Sequence, residues 1–207
     1  GFGYPLGVDL PGEKRGMIPN DKYYDKNYNG SWNGLTIISI AIGQGEVTAT
    51  PLQIANLGAT IANRGYFITP HVVKEIEDEA LDSLYTTKRY TKVSEKHYET
   101  VVQGMRAAVT GGTCRAANLP GLDVCGKTGT AQNKGKDHSA FMGFAPMNNP
   151  KIAVAVYVEN GGWGATYGVP IGALIMEKYL NGTLSPQSEM KASDIQMRRI
   201  DYGVHER

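Results

Sequence analysis

Gly126-Lys127-Thr128-Gly129-Thr130-Ala131-Gln132 closes the first of three short apolar runs, Leu122–Gln132, Ser139–Ala145 and Lys151–Val158, and these three runs decide the fold. From Leu122 the apolar pattern takes a period of about two, the spacing of a strand with one face buried. Asn133-Lys134-Gly135-Lys136-Asp137 and Pro146-Met147-Asn148-Asn149-Pro150 separate the runs. A parallel pair needs a crossover of about a dozen residues or more, so connections this short predict an antiparallel meander.

Helices are expected on either side of it. Upstream, Thr50-Pro51-Leu52-Gln53 is a helix start. Thr50 satisfies orphan N–H groups, Pro51 suits the first helical position and Gln53 completes a capping box. Ile54, Leu57, Gly58, Ile61 and Ala62 then share one face, and Gly65 supplies the stop. Ser94 is expected to cap a second helix with a stripe of Tyr98, Val101, Val102, Met105, Ala108 and Val109, ended by Gly111-Gly112. After a glycine-rich loop, Gly161-Gly162-Trp163-Gly164, a third helix runs to about Leu180 with Ile171, Leu174, Ile175 and Tyr179 as its buried side. Residues 66–76 read as a strand around Pro70, Glu77–Lys92 as a surface excursion, and 1–34 as turns rich in Gly, Pro, Asn and Asp. The sum is an α+β pattern, an antiparallel sheet covered by helices. Residues 1–182 belong to that domain, and 183–207 read as a polar C-terminal tail.

Composition narrows the function. The chain has 207 residues, 41% hydrophobic and 20% charged, with a net charge of +1. No basic stripe argues for nucleic acid, and no charge excess argues for a membrane surface. The longest apolar stretch, Leu35–Gly45, falls short of the roughly 18 residues a membrane span requires. Gly1–Gly7 reads like the middle of a domain, so the chain is expected to be part of a longer protein. His71, His97, His138 and His205 show no ligand spacing, and Cys114 and Cys125 have no partner motif, so no metal or other cofactor is expected. Burial of Cys125 in its strand favours two free thiols over a disulfide. Gly43 and Gly45 lack the third glycine and the preceding strand of a dinucleotide site.

Lys127-Thr128-Gly129-Thr130 carries the chemistry. Glycine and threonine in mid-strand cost stability, so the run needs a reason. One reading is a bulge or a close approach of sheet and helix. The other is a ligand backbone laid along the strand. Gly129 would then leave room for it, Thr128 would offer a hydroxyl and Lys127 a positive charge to a carboxylate. The backbone N–H of Thr130 could face a developing oxyanion. Trp163 either borders such a cleft or packs on the last helix.

Beyond the triplet Lys127-Thr128-Gly129, which belongs to the motif set of penicillin-binding proteins and β-lactamases, five blocks resemble the class B high-molecular-weight penicillin-binding proteins. They are Gly7–Glu13, Ile42–Gly45 with Thr50–Ala55, Ile61–Gly65, Gly126–Gln132 and Phe144-Ala145-Pro146. Pro19 and Gly45–Thr50 are more similar to the elongation branch of the family than to the division branch. The resemblance implies part of a β-lactamase-like transpeptidase fold and a peptidoglycan D,D-transpeptidase that works through a serine acyl-enzyme. Lys127 and Thr128 would hold the carboxylate of a stem peptide or a β-lactam, with Gly129 beside them, and Thr130 would give one N–H of the oxyanion hole. The family's Ser-x-x-Lys and Ser-x-Asn motifs are expected upstream of this chain. The resemblance also implies a glycan polymerase of the elongation complex as partner. It places the protein at the periplasmic face of the bacterial inner membrane, held by an anchor that this chain lacks. A non-catalytic β-lactam sensor or cell-wall scaffold on the same fold is the alternative. Two chance matches are set aside: Ser188 with Lys191, expected in the polar tail without a helix start or a cleft, and Ser31 with Asn33, downstream of where the family has its second motif.

Overall fold

The computed structural model describes residues 1–200; His205 and the end of the expected tail lie outside them. The elements in chain order are α1 (Asp21–Tyr28), α2 (Gly34–Ala41), α3 (Pro51–Ala62), β1 (Tyr66–Phe67), β2 (Arg89–Tyr90), α4 (Lys96–Thr110), β3 (Cys125–Ala131), β4 (His138–Ala145), β5 (Ile152–Val158), α5 (Gly168–Asn181) and α6 (Pro186–Met197). They fall into two compact units. One is Gly1–Gln53 with Ile68–Thr87; the other is Ile54–Phe67 with the chain from Lys88 onward.

In the first unit, segments remote in sequence are tied together by side chains that satisfy backbone donors and acceptors. Thr50 and Gln53 form the expected capping box, Thr50 N donating to Oε1 of Gln53 at 2.9 Å and Gln53 N to Oγ1 of Thr50 at 3.2 Å. The Gln53 amide is also buried against the carbonyls of Gly1, Tyr4 and Arg15, at 2.8, 3.1 and 2.8 Å. Burial alone would raise the pKa of Glu13, but its carboxylate accepts the N–H groups of Leu6, Gly7 and Val8, and these hold it below the usual range.

Two expectations fail here, and one helix is new. Residues 1–34 are not all turns: Asn20 caps α1, whose Tyr24 is buried beside Tyr23, Tyr28 and Trp32. Tyr24 and Tyr28 both donate to Glu46, and burial followed by that bond pushes the Tyr24 hydroxyl up to about 12. The apolar run from Leu35 forms α2, opened by a capping box between Asn33 and Thr36, and none of its residues is buried. The strand expected over 66–76 is confined to Tyr66–Phe67. Pro70 has no N–H to give a sheet, and the N–H groups of Val72 and Val73 go to the Asp9 carboxylate at 3.0 Å.

The second unit holds the sheet, ordered β3-β4-β5 and antiparallel throughout as the short connections require. The α4 stripe of Tyr98, Val102 and Met105 packs with Ile61 and Ala62 against Cys125 and Phe144. Val101 is exposed, and Ser94 does not cap α4: the N-cap is Glu95, without a side-chain bond. Helix α5 covers the other face, but not with the expected residues. Ile175 and Tyr179 point outward, and the buried side is Val169, Gly172, Ala173, Met176 and Glu177.

The reason is Phe141, which is 1% exposed. A Cβ on Gly126, Gly143 or Gly172 would come within 2.5 Å or less of its ring, and one on Gly168 within 3.0 Å of its Cβ. The ring fills space that four missing side chains leave. Size, not hydrophobicity, chose the face of α5. Gly172→Ala should therefore destabilise the protein by about 1–3 kcal/mol through overpacking, measured by chemical denaturation. Adding Phe141→Leu should recover part of the loss, and a neutral Gly172→Ala would contradict this packing.

Candidate functional site

Among the described residues β3 pairs with β4 on one side only, in the register Lys127↔Met142, Thr128↔Phe141, Gly129↔Ala140 and Thr130↔Ser139. Alternate residues face opposite ways. Gly126, Thr128 and Thr130 lie on the α5 face, and Cys125, Lys127 and Gly129 on the α4 face. The two readings of the small-residue run thus divide by position. Gly126 is needed by the Phe141 ring, whereas a Cβ on Gly129 would meet only its cross-strand neighbour Ala140, at 3.2 Å from Cβ.

The four predicted residues stand in sequence along this strand. Lys127 is exposed and turns back so that Nζ donates to the Thr128 carbonyl at 2.7 Å. The Thr128 hydroxyl meets a residue that the sequence did not single out, Thr113, Oγ1 to Oγ1 at 2.9 Å. Thr113 sits in the loop after α4, where no motif distinguishes it from an ordinary helix stop. Thr130 Oγ1 lies 3.4 Å from the Gly164 N–H and so tethers the glycine-rich loop. A Cβ on Gly164 would strike the carbonyls of Gly129 and Ala140 at 2.5 Å, so the loop lies directly on the sheet. Ser139 Oγ completes the tether, donating to the Trp163 carbonyl at 2.8 Å and accepting from Gly168 N at 3.0 Å. The Trp163 side chain is 75% exposed, so it does not pack on the last helix.

Cys114 and Cys125 are both free and buried. Burial pushes the Cys114 thiol up, against hydrogen bonds from the Thr113 side chain and the Thr128 backbone and the nearby Lys127 charge. Burial likewise raises Cys125, to about 11. Among the described residues no cluster of His, Cys, Asp and Glu is arranged to hold a metal ion.

The structure corrects the view of Ser188. It lies in the first turn of α6, capped by Ser185, is 2% exposed, and with Lys191 lines a pocket of about 190 Å³ between α5 and α6. The polar composition hid this helix, which is anchored by the buried Glu177 carboxylate accepting Ser185 N at 3.1 Å. Burial alone would raise the pKa of Glu177, but the hydroxyls of Ser188 and Ser185 and the Ser185 N–H hold it below the usual range, while Oε2 itself has no hydrogen-bond partner. Lys191 adds its charge to the same carboxylate. What the Ser188 hydroxyl lies beside is the Glu177 carboxylate, in a pocket between α5 and α6, so helix and pocket do not by themselves make Ser188 a nucleophile.

With this geometry in hand, comparison with known proteins is decisive for the family. Residues 1–180 match the model described as penicillin binding protein transpeptidase domain, and the chain belongs to that family. It is 34% identical to the peptidoglycan D,D-transpeptidase MrdA of Haemophilus influenzae, over 96% of this chain and 34% of that protein. The crystal structure of Pseudomonas aeruginosa PBP2 in complex with WCK 5153 superposes with a TM-score of 0.74 at 36% identity, covering 90% of this chain and 42% of that one. The complex of PBP2 and MreC from Helicobacter pylori gives a TM-score of 0.73 at 29% identity, covering 89% and 34%. The chain spans about a third of the length of the curated relatives it matches.

Thiol titration of the denatured, unreduced protein should count two groups. The folded protein should react far more slowly at neutral pH, because both thiols are buried and uncharged there. A count of zero would contradict the free thiols.

Proposed function

We propose that residues 1–182 form the C-terminal portion of a transpeptidase domain and carry one wall of the site of a peptidoglycan D,D-transpeptidase. The observation that carries the reading is the exposed Lys127 beside the Thr128 hydroxyl on a strand paired on one side only. A peptide laid along β3 would add as a further strand. Its terminal carboxylate, or that of a β-lactam, would meet the Lys127 ammonium and the Thr128 hydroxyl. Gly129 admits the ligand backbone, and the Thr130 N–H stabilises the oxyanion that forms as a serine attacks the scissile carbonyl. The C–N bond to the terminal D-alanine then breaks, and the leaving amine takes up the proton. An amine of a second stem peptide attacks the ester, forming the cross-link and freeing the serine.

In this reading the serine and its lysine come from sequence outside the chain. The Ser188–Lys191 pair is remote from β3 in sequence and lines a different pocket, between α5 and α6. The likeness to PBP2 structures, one of them in complex with MreC, supports a place at the periplasmic face of the inner membrane. There it would work beside a glycan polymerase of the elongation machinery.

In the longer protein, Lys127→Ala and Thr128→Val should slow acylation by penicillin roughly 10- to 100-fold, since each removes a charge-assisted contact to the carboxylate. Acylation of both at the wild-type rate would place the carboxylate anchor elsewhere. The 207-residue chain alone, incubated with fluorescent penicillin and run on a denaturing gel, should show no labelled band. A band would put the nucleophile within this chain.

A further inference from the structure

The contact between Thr113 and Thr128 joins two parts of the second unit that local sequence does not connect. Thr128 belongs to β3, while Thr113 ends the loop after α4. That loop is firmly mounted. A Cβ on Gly112 would come within 2.8 Å of the Ala108 Cα, so the chain leaves α4 pressed against its own last turn. Cys114 N donates to the Ala108 carbonyl at 2.9 Å, and the Cys114 side chain is fully buried. Between these two anchors Thr113 itself is exposed, with its hydroxyl 2.9 Å from that of Thr128.

A hydroxyl has one proton to donate and two lone pairs that accept. In the ligand-free pair either hydroxyl can be the donor, so the direction of the Thr128 proton is not fixed. A carboxylate arriving at Thr128 demands the Thr128 proton and leaves its oxygen to be filled. Thr113 is placed to fill it, giving the chain Thr113 O–H to Thr128 O–H to carboxylate, in which each bond polarises the next. Lys127, next along the strand, holds the charge while the two hydroxyls set the direction of the donor.

We propose that Thr113 is a positioning residue for carboxylate recognition, orienting the Thr128 hydroxyl toward the terminal carboxylate of a stem peptide or β-lactam. This rests on the assignment of Lys127 and Thr128 to that carboxylate. It adds a residue outside the strand motif and makes the loop after α4 part of the binding machinery.

The test uses the longer protein and measures the second-order rate of acylation by a penicillin and by its carboxylate methyl ester. Thr113→Val should slow reaction with the free acid about tenfold, the worth of one hydrogen bond in such a network. It should leave the slower reaction with the ester unchanged relative to wild type and shift the thermal midpoint little. Thr113→Ser, which keeps the hydroxyl, should restore most of the rate. The double variant Thr113→Val, Thr128→Val should be no slower than Thr128→Val alone, because the first hydroxyl acts through the second. Free-acid acylation of Thr113→Val at the wild-type rate overturns the proposal, as does equal slowing toward acid and ester, which marks a purely structural role. If Lys127→Ala and Thr128→Val are also as fast as wild type, the carboxylate assignment itself fails. If they are slow while Thr113→Val is not, only the role of Thr113 fails.

Discussion

The packing of α5 onto the sheet depends on one aromatic ring held where four side chains are missing. Phe141 occupies the volume left by Gly126, Gly143, Gly168 and Gly172, one from the neighbouring strand, one from its own strand and two from the helix above. Interiors are packed near the density of organic crystals, so this arrangement sets the distance from sheet to helix with little slack. The tethers of Ser139 to Trp163 and Gly168 and of Thr130 to Gly164 follow from it. They can form only because the chain entering α5 lies directly on the strands.

That constraint also frees the other residues of β3. Since Gly126 accommodates the ring, the next four positions have no core to fill, and Lys127 and Thr128 stand at the margin of the sheet. The same strand is buried at its start and open to solvent from its third residue on. The change occurs between adjacent residues because strand side chains alternate between faces.

Much of this was legible in the sequence where a local rule dominates. The capping box of Thr50 and Gln53, the antiparallel meander and the two free thiols each depend on a short stretch read by one principle. The failures share a cause. Helices α1 and α6 are polar, and what holds them lies outside their own sequence: Glu46 for α1 and Glu177 of α5 for α6. The face of α5 was misread because its most apolar residues point outward, while small ones were needed against Phe141. The strand expected through Pro70 gave way because Asp9, 63 and 64 positions away, takes the N–H groups of Val72 and Val73. Thr113 was illegible for the same reason: its partner is tertiary, and a threonine after two glycines carries no pattern.

Gln53 carries a consequence for the order of assembly. Its one side chain closes the start of α3 and gathers carbonyls 52, 49 and 38 residues away. Closing loops of such length costs conformational entropy that local contacts do not repay. The helix start can form from its own neighbours, but the carbonyls of Gly1, Tyr4 and Arg15 gain their amide partner only once that helix start exists. Folding of the first unit therefore has a direction, with the segment Gly1–Arg15 seated after the amide that gathers its carbonyls, although it precedes that amide along the chain.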